Sequence, residues 1–191
     1  EKKRVNINLL SYLNLVSLAT IADVVPLVGL NRAFVKQGLK IFQSRLCLKM
    51  FGEHFKLLDN LNEETIAFQV APRLNASGRI ASAFLTYQFL TATDPQKIEE
   101  CINDMEVANK ERKALETLIL SSAVQQVSNA KSQKPYTLVK AKGWHKGVIG
   151  IIASRLKDLY GGLCVAISID GDIGHGSIRS TEQIDITEIL Q

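Results

Sequence analysis

The sequence predicts an α/β chain: a mostly helical first part, one long helix, and a small α/β unit at the end. Three observations predict it. Apolar residues recur at helical spacing through the first 93 positions, broken by Pro26 and by a polar stretch near residue 75. Residues 94–129 carry no internal breaker. Beyond Ser132-Gln133-Lys134-Pro135 the pattern changes to strand, helix and strand.

Taken in order, residues 5–22 are Leu-rich and read as a buried helix that cannot continue past Pro26. Asn31 is placed to cap a second helix through 43, with Ala33, Phe34, Gly38, Leu39 and Phe42 as its inner face. A third short helix is expected over 45–58. Glu63 and Glu64 favour a helix start at 62–70, because carboxylates suit the positive end of the dipole. Pro72 disfavours α geometry at Ala71, and Gly78 offers a close backbone approach, so 71–79 reads as an ordered loop. An apolar helix follows at 81–92.

Thr93-Asp94-Pro95 is a helix-start signal. The helix it opens runs to about 129, with Ile98, Ile102, Met105, Ala108, Leu115, Ile119 and Val127 along one stripe. Arg112 interrupts that stripe and argues against a coiled coil. Tyr136-Thr137-Leu138-Val139 reads as a strand, 147–160 as a helix, and 163–169 as a buried strand. Asp170-Gly171 then turns into a strand near 173–179. The segments are 1–93, a connecting helix 94–131, and 132–191.

Composition excludes little. The 191 residues are 46% hydrophobic and 22% charged, an ordinary globular balance sufficient for one large or two small domains. The net charge of +4 is unevenly spread: residues 94–130 hold seven acids and four bases, a net of −3, which leaves +7 elsewhere. That bias is compatible with a polyanionic partner. Cys47, Cys101 and Cys164 have no metal-ligand spacing, and a reduced, cytoplasmic setting is their simplest home. No membrane-spanning apolar run is visible. The chain opens on Glu1 and closes just after a helix begins near 186, so an internal fragment is expected.

Four clusters carry candidate chemistry. Asp23 sits among apolar neighbours, where a carboxylate is costly unless neutralised. A hard divalent cation would do so, and a turn carboxylate beside Pro26 is the competing reading. Arg73 and Arg79 in the 71–79 stretch present planar forks suited to phosphate, or are simply solvated. Trp144 and His145 lie in a glycine-bounded turn opening a helix. They read equally as a base-stacking and phosphate-contacting pair or as a core ring and a surface histidine. Strand alternation puts Ser177 and Arg179 on one face beside Gly176, which suits a terminal phosphate or an ordinary solvated edge. Asp170-Gly171-Asp172 and Gly174-His175-Gly176 read as hairpin chemistry and His54 as surface. No Walker motif, nucleophile elbow or zinc-spaced set occurs.

In order, A-T-I-A-D-V-V-P-L followed by Asn31-Arg32, then A-P-R-L-N-A-S-G-R, G-W-H-K-G-V-I-G-I-I-A-S-R and G-S-I-R-S resemble the RecJ family. These are single-stranded-DNA-specific 5′→3′ exonucleases of the DHH phosphoesterase superfamily. The resemblance runs from about residue 9 to the end. It implies the C-terminal part of a DHH domain at 1–93, the linking helix, and the start of a DHH-associated substrate domain at 132–191. It implies that Asp23 is a ligand in a two-metal Mn2+ or Mg2+ site. It implies nucleic-acid contacts by Arg73, Asn75, Arg79, Trp144, His145, Ser177, Arg179 and Ser180.

The implied partners are single-stranded DNA and, by family, a single-strand-binding protein and a helicase, in repair and recombination and away from any membrane. The chain departs from the family at Lys146, where Pro is usual, and at Ile178, where a small residue is usual. The family's Asp-x-Asp, Asp-His-His and Gly-Gly-His segments are not in this sequence, so one ligand of the metal pair is present and the chain alone is expected to be inactive. Two other readings stay open: a superfamily phosphodiesterase for short oligonucleotides or cyclic dinucleotides, and a non-catalytic nucleic-acid-binding relative.

Overall fold

Helix α1 (Leu13–Ala22) grows out of a 3-10 turn, Leu9–Tyr12, whose Asn8 side chain accepts from the Leu10 N–H. The structure, a computed structural model, describes residues 8–130, 135–181 and 184–190. Helix α1 ends in a Schellman arrangement: Val24 N–H donates to the Ile21 carbonyl and Val25 N–H to the Thr20 carbonyl. The residue this motif puts in the left-handed region is Val24, at φ +54°. A β-branched side chain there is strained.

Helix α2 (Gly29–Lys40) packs closely on α1. A Cβ at Gly38 would run into the Leu13 carbonyl and the Ser17 side chain. Its buried residues are Val35 and Gly38, while Ala33 and Phe34 are exposed. The rest of the expected inner face holds, with Phe42 buried and Leu39 half-buried against the core. Helix α2 starts three residues earlier than expected, with Val28 as its N-cap, and Asn31 instead donates from its amide to the Pro26 carbonyl. Helix α3 (Leu46–His54) is shorter than expected and ends in a second Schellman pair, with Lys56 at φ +54°.

The largest correction lies at 71–79, which is helix and not loop. A helical path runs from α4 (Glu63–Thr65) through a π-turn, Ile66–Val70, into α5 (Ala71–Ile80). Asn62 caps its start by accepting from Thr65 N–H. Pro72 has no N–H to donate, and its ring opposes tight α winding. The wider turn just before it, in which Ala71 N–H reaches back to the Ile66 carbonyl, leaves Ala71 in α geometry (φ −56°, ψ −41°). Local propensity thus loses to a π-turn that a period-based reading does not see. Helix α6 (Phe84–Thr91) follows.

Helix α7 (Pro95–Ser128) is 34 residues long, with Asp94 Oδ1 accepting from Gln96 N–H at its start. Its first turns enter the core of the first compact unit, residues 1–109. There Ile98, Ile102 and Met105 meet Phe42, Leu48, Phe51 and Phe89, with Phe51 and Phe89 ring centroids 5.6 Å apart. Of the expected stripe, Ile98, Ile102, Met105, Ala108 and Ile119 are buried, while Leu115 and Val127 are half-buried.

The second unit, 110–191, carries a three-stranded sheet of order β1–β2–β3. Strand β1 (Tyr136–Lys142) pairs in parallel with β2 (Leu163–Asp170) through the crossover helix α8 (Ile149–Tyr160). Strand β3 (Ile173–Arg179) pairs antiparallel with β2 across Gly171, at φ +56°. Val139, Cys164 and Ala166 of the sheet and Ile152, Ala153 and Leu156 of α8 are buried. A short helix α9 (Ile186–Leu190) closes the described chain. The three cysteines are free and buried, and burial pushes each thiol's pKa up, which keeps them unreactive.

Candidate metal and nucleic-acid sites

Asp23 is the C-cap of α1, exposed, and held by the Schellman bonds around the strained Val24. A carboxylate there faces the negative end of the helix dipole, an unfavourable position that a cation would reverse. Among the described residues Asp23 forms no ion pair. Among them also, no three His, Cys, Asp or Glu side chains converge into a metal-sized group. Asp23 therefore fits the role of one hard oxygen ligand and cannot complete a site from what is described.

The helical conformation separates the two arginines of 71–79. Six residues on an α-helix place Arg73 and Arg79 about 120° apart, whereas Asn75 and Arg79, four apart, share a face. Arg73 is committed inward. Its Nε donates to Glu106 Oε2 at 3.0 Å, its Nη1 donates to the Gln69 carbonyl at 2.7 Å, and its guanidinium carbon stands 4.1 Å from the Phe55 ring centroid. With its side chain 18% exposed, Arg73 ties α5 to α7 rather than offering a free fork to phosphate. Asn75 and Arg79 are exposed.

In the second unit, three features meet at the start of α8. No side chain caps that helix. A Cβ at Gly150, in its first turn, would lie 3.4 Å from Ser177 Oγ and 3.7 Å from Arg179 Nη2. A hydroxyl, a guanidinium and the positive end of a helix thus lie close together at Gly150, groups of the kind that bind phosphate. Gly150 closes the glycine-bounded cluster at 143–150 and was given no role of its own from the sequence. The G-V-I-G spacing at a helix start was its only signal. Ser177 and Arg179 share a strand face, as alternation requires, opposite Ala166 and Cys164 of β2. Ser180 lies past the strand end and donates its hydroxyl to the Ile184 carbonyl, which holds the loop.

Trp144 is only 8% exposed, and its carbonyl accepts from Ser168 Oγ. Its ring is a core element and not a stacking surface. His145 is half-buried, and its Nδ1 accepts from Gly147 N–H at 3.1 Å. In the neutral ring this leaves the proton on Nε2.

Gly150, α8 and the sheet lie within a recognisable module: residues 133–191 match the DHHA1 domain. The wider likeness is to RecJ exonucleases and runs along nearly the whole chain. The single-stranded-DNA-specific exonuclease RecJ of Bacillus subtilis is 36% identical over 186 residues, 93% of this chain and 23% of that protein. RecJ of Haemophilus influenzae is 32% identical over 96% of this chain and 34% of its own length. The crystal structure of Thermus thermophilus RecJ in complex with Mg2+ superposes with a TM-score of 0.80 at 28% identity, over 95% of this chain and 28% of that one. A RecJ structure bound to manganese gives 0.78 over 95% of this chain and 45% of its own. The chain therefore spans about a quarter to a third of the curated relatives' length. The resemblance first carried by four short motifs holds for fold and sequence alike.

Proposed function

We propose that this chain is the central part of a metal-dependent 5′→3′ exonuclease that hydrolyses phosphodiester bonds of single-stranded DNA. The observation that carries the reading is that Ser177 Oγ and Arg179 Nη2 both lie close to Gly150 at the uncapped start of α8, an arrangement suited to one terminal phosphate. Ser177 and Arg179 bind that phosphate and set the register of the strand. His145, held by its Nδ1 contact, keeps Nε2–H as the donor for the strand, and Trp144 anchors the turn from the core. Asn75 and Arg79 guide the backbone, with Arg73 and Ser180 positioning their elements from inside.

Asp23 supplies one ligand of a Mn2+ or Mg2+ pair, whose chemistry is Lewis-acid activation of the scissile phosphodiester. Metal-bound RecJ structures support this assignment. The same reading gives the protein a cytoplasmic role in repair and recombination, alongside a single-strand-binding protein and a helicase. No described helix is long and apolar enough to cross a membrane.

The test is manganese-dependent nucleotide release from 5′-phosphorylated single-stranded DNA by the full-length protein, its Asp23→Ala variant and the 191-residue chain. The full-length protein should cut, and both others should be inert. Normal cutting by Asp23→Ala would remove Asp23 from the metal site. Preference for dinucleotides over long strands would instead favour a short-oligonucleotide phosphodiesterase.

A further inference from the structure

A strained residue stands directly after Asp23. Among the described residues two non-glycines lie in the left-handed region, Val24 and Lys56, each at φ +54°. Lys56 is unbranched. Val24 is β-branched, and for such a side chain this conformation is an outlier.

The surrounding bonds explain how the turn is held but not why valine occupies it. Asp23 N–H donates to the Ala19 carbonyl at 3.0 Å, Val24 N–H to Ile21 at 3.0 Å and Val25 N–H to Thr20 at 3.1 Å. These are main-chain bonds, and glycine or asparagine would form them with less strain. The helix supplying the carbonyls is itself fixed, because Leu18 and Ile21 are buried in the core. The far side is fixed as well. Pro26 has a locked φ and restricts Val25 to extended geometry. Its carbonyl accepts from Val28 N–H at 2.9 Å and from Asn31 Nδ2 at 3.1 Å. Asp23 thus opens a short segment tied at both ends, containing one residue whose type opposes its conformation.

What valine offers there is narrowness. Glycine accepts a wide range of positive φ, whereas an L residue has only a small left-handed well, and branching at Cβ narrows it further. Val24 therefore allows the chain after Asp23 one direction where glycine would allow many. A metal ligand gains from this, because a carboxylate already aimed loses less freedom on coordination.

We propose that Val24 is a positioning residue for the metal ligand Asp23: it holds the last turn of α1 in a narrow, strained geometry that aims the carboxylate, at some cost to the stability of the fold. Strain of this kind persists where surrounding structure over-determines it, and it concentrates at functional sites. The inference rests on the Asp23 reading above and adds to it a residue whose side chain has no ligating atom. A valine kept for packing against another part of the full-length protein is the competing explanation, and it predicts the opposite change in stability.

The test uses the full-length protein, with thermal melts in EDTA and Mn2+ affinity read from the EPR signal of the free ion. Val24→Gly should melt at the same temperature or higher, because strain is relieved, yet bind Mn2+ roughly tenfold more weakly. Val24→Ile, which keeps the branch, should match the unmodified protein in both. A lower melting temperature for Val24→Gly would show that the side chain packs, and would overturn the proposal. Undiminished Mn2+ affinity in Val24→Gly, or lost affinity in Val24→Ile, would also overturn it. Asp23→Ala separates this failure from that of the underlying reading. If Asp23→Ala loses affinity and Val24→Gly does not, Asp23 stays a ligand and Val24 has no part in aiming it. If Asp23→Ala binds Mn2+ as the unmodified protein does, both fall.

Discussion

Arg73 and Arg79 look equivalent in the sequence and are opposites in the structure. One is bound to Glu106, Gln69 and the Phe55 ring; the other is exposed near the end of α5. Arg73→Ala should therefore lower stability by about 1–3 kcal/mol, because it leaves the half-buried Glu106 carboxylate without its partner. Arg79→Ala should weaken single-stranded-DNA binding, because its side chain lies at the surface. Paired thermal melts and affinity measurements would separate the two roles, and an unchanged melt for Arg73→Ala would contradict the inward assignment. Asp23 illustrates the same lesson. Its residue type and apolar neighbours suggest a charge in need of a partner, but its place at the negative end of α1 is the stronger argument. That place depends on the Schellman bonds around it.

At the scale of the element, the α1–α2 contact is the most demanding. Gly38 faces the Leu13 carbonyl and Ser17 with no room for a methyl group, and the opposing atom is backbone, which cannot swing aside. Gly38→Ala should destabilise the first unit by roughly 1–3 kcal/mol despite the better helix propensity of alanine. Chemical denaturation of the full-length protein would read this, and a neutral or stabilising result would show that α1 and α2 are less tightly apposed. The π-turn ahead of Pro72 is the second informative element. A proline and a glycine in one decapeptide are ordinary loop signals. Here Pro72 falls in the first turn of α5, where its missing N–H is tolerated, and the wide turn absorbs the steric conflict.

For the whole molecule, charge partition is the relevant quantity. Residues 94–130 are net −3 while the remainder is +7, so attraction for a polyanion belongs to the segments flanking the long helix. Binding of single-stranded DNA by the full-length protein should weaken steadily as salt rises, log affinity falling linearly with log salt. A flat response would exclude phosphate contacts as the main source of affinity. The likeness to RecJ proteins covers both units of this chain.

Sequence alone determined the element types outside 71–79, the long helix from Pro95, the strand–helix–strand unit, and the motifs behind the family resemblance. These follow from local periodicity, caps and turn residues, which act over a few positions. The tertiary structure decided which face of α2 is buried and which arginine turns inward. It also showed that Trp144 is core and that Ser177 and Arg179 both lie close to Gly150. Each of these depends on what a distant segment places opposite the side chain. Glu106 lies 33 residues from Arg73 and Ser168 lies 24 from Trp144, separations over which no local pattern carries information.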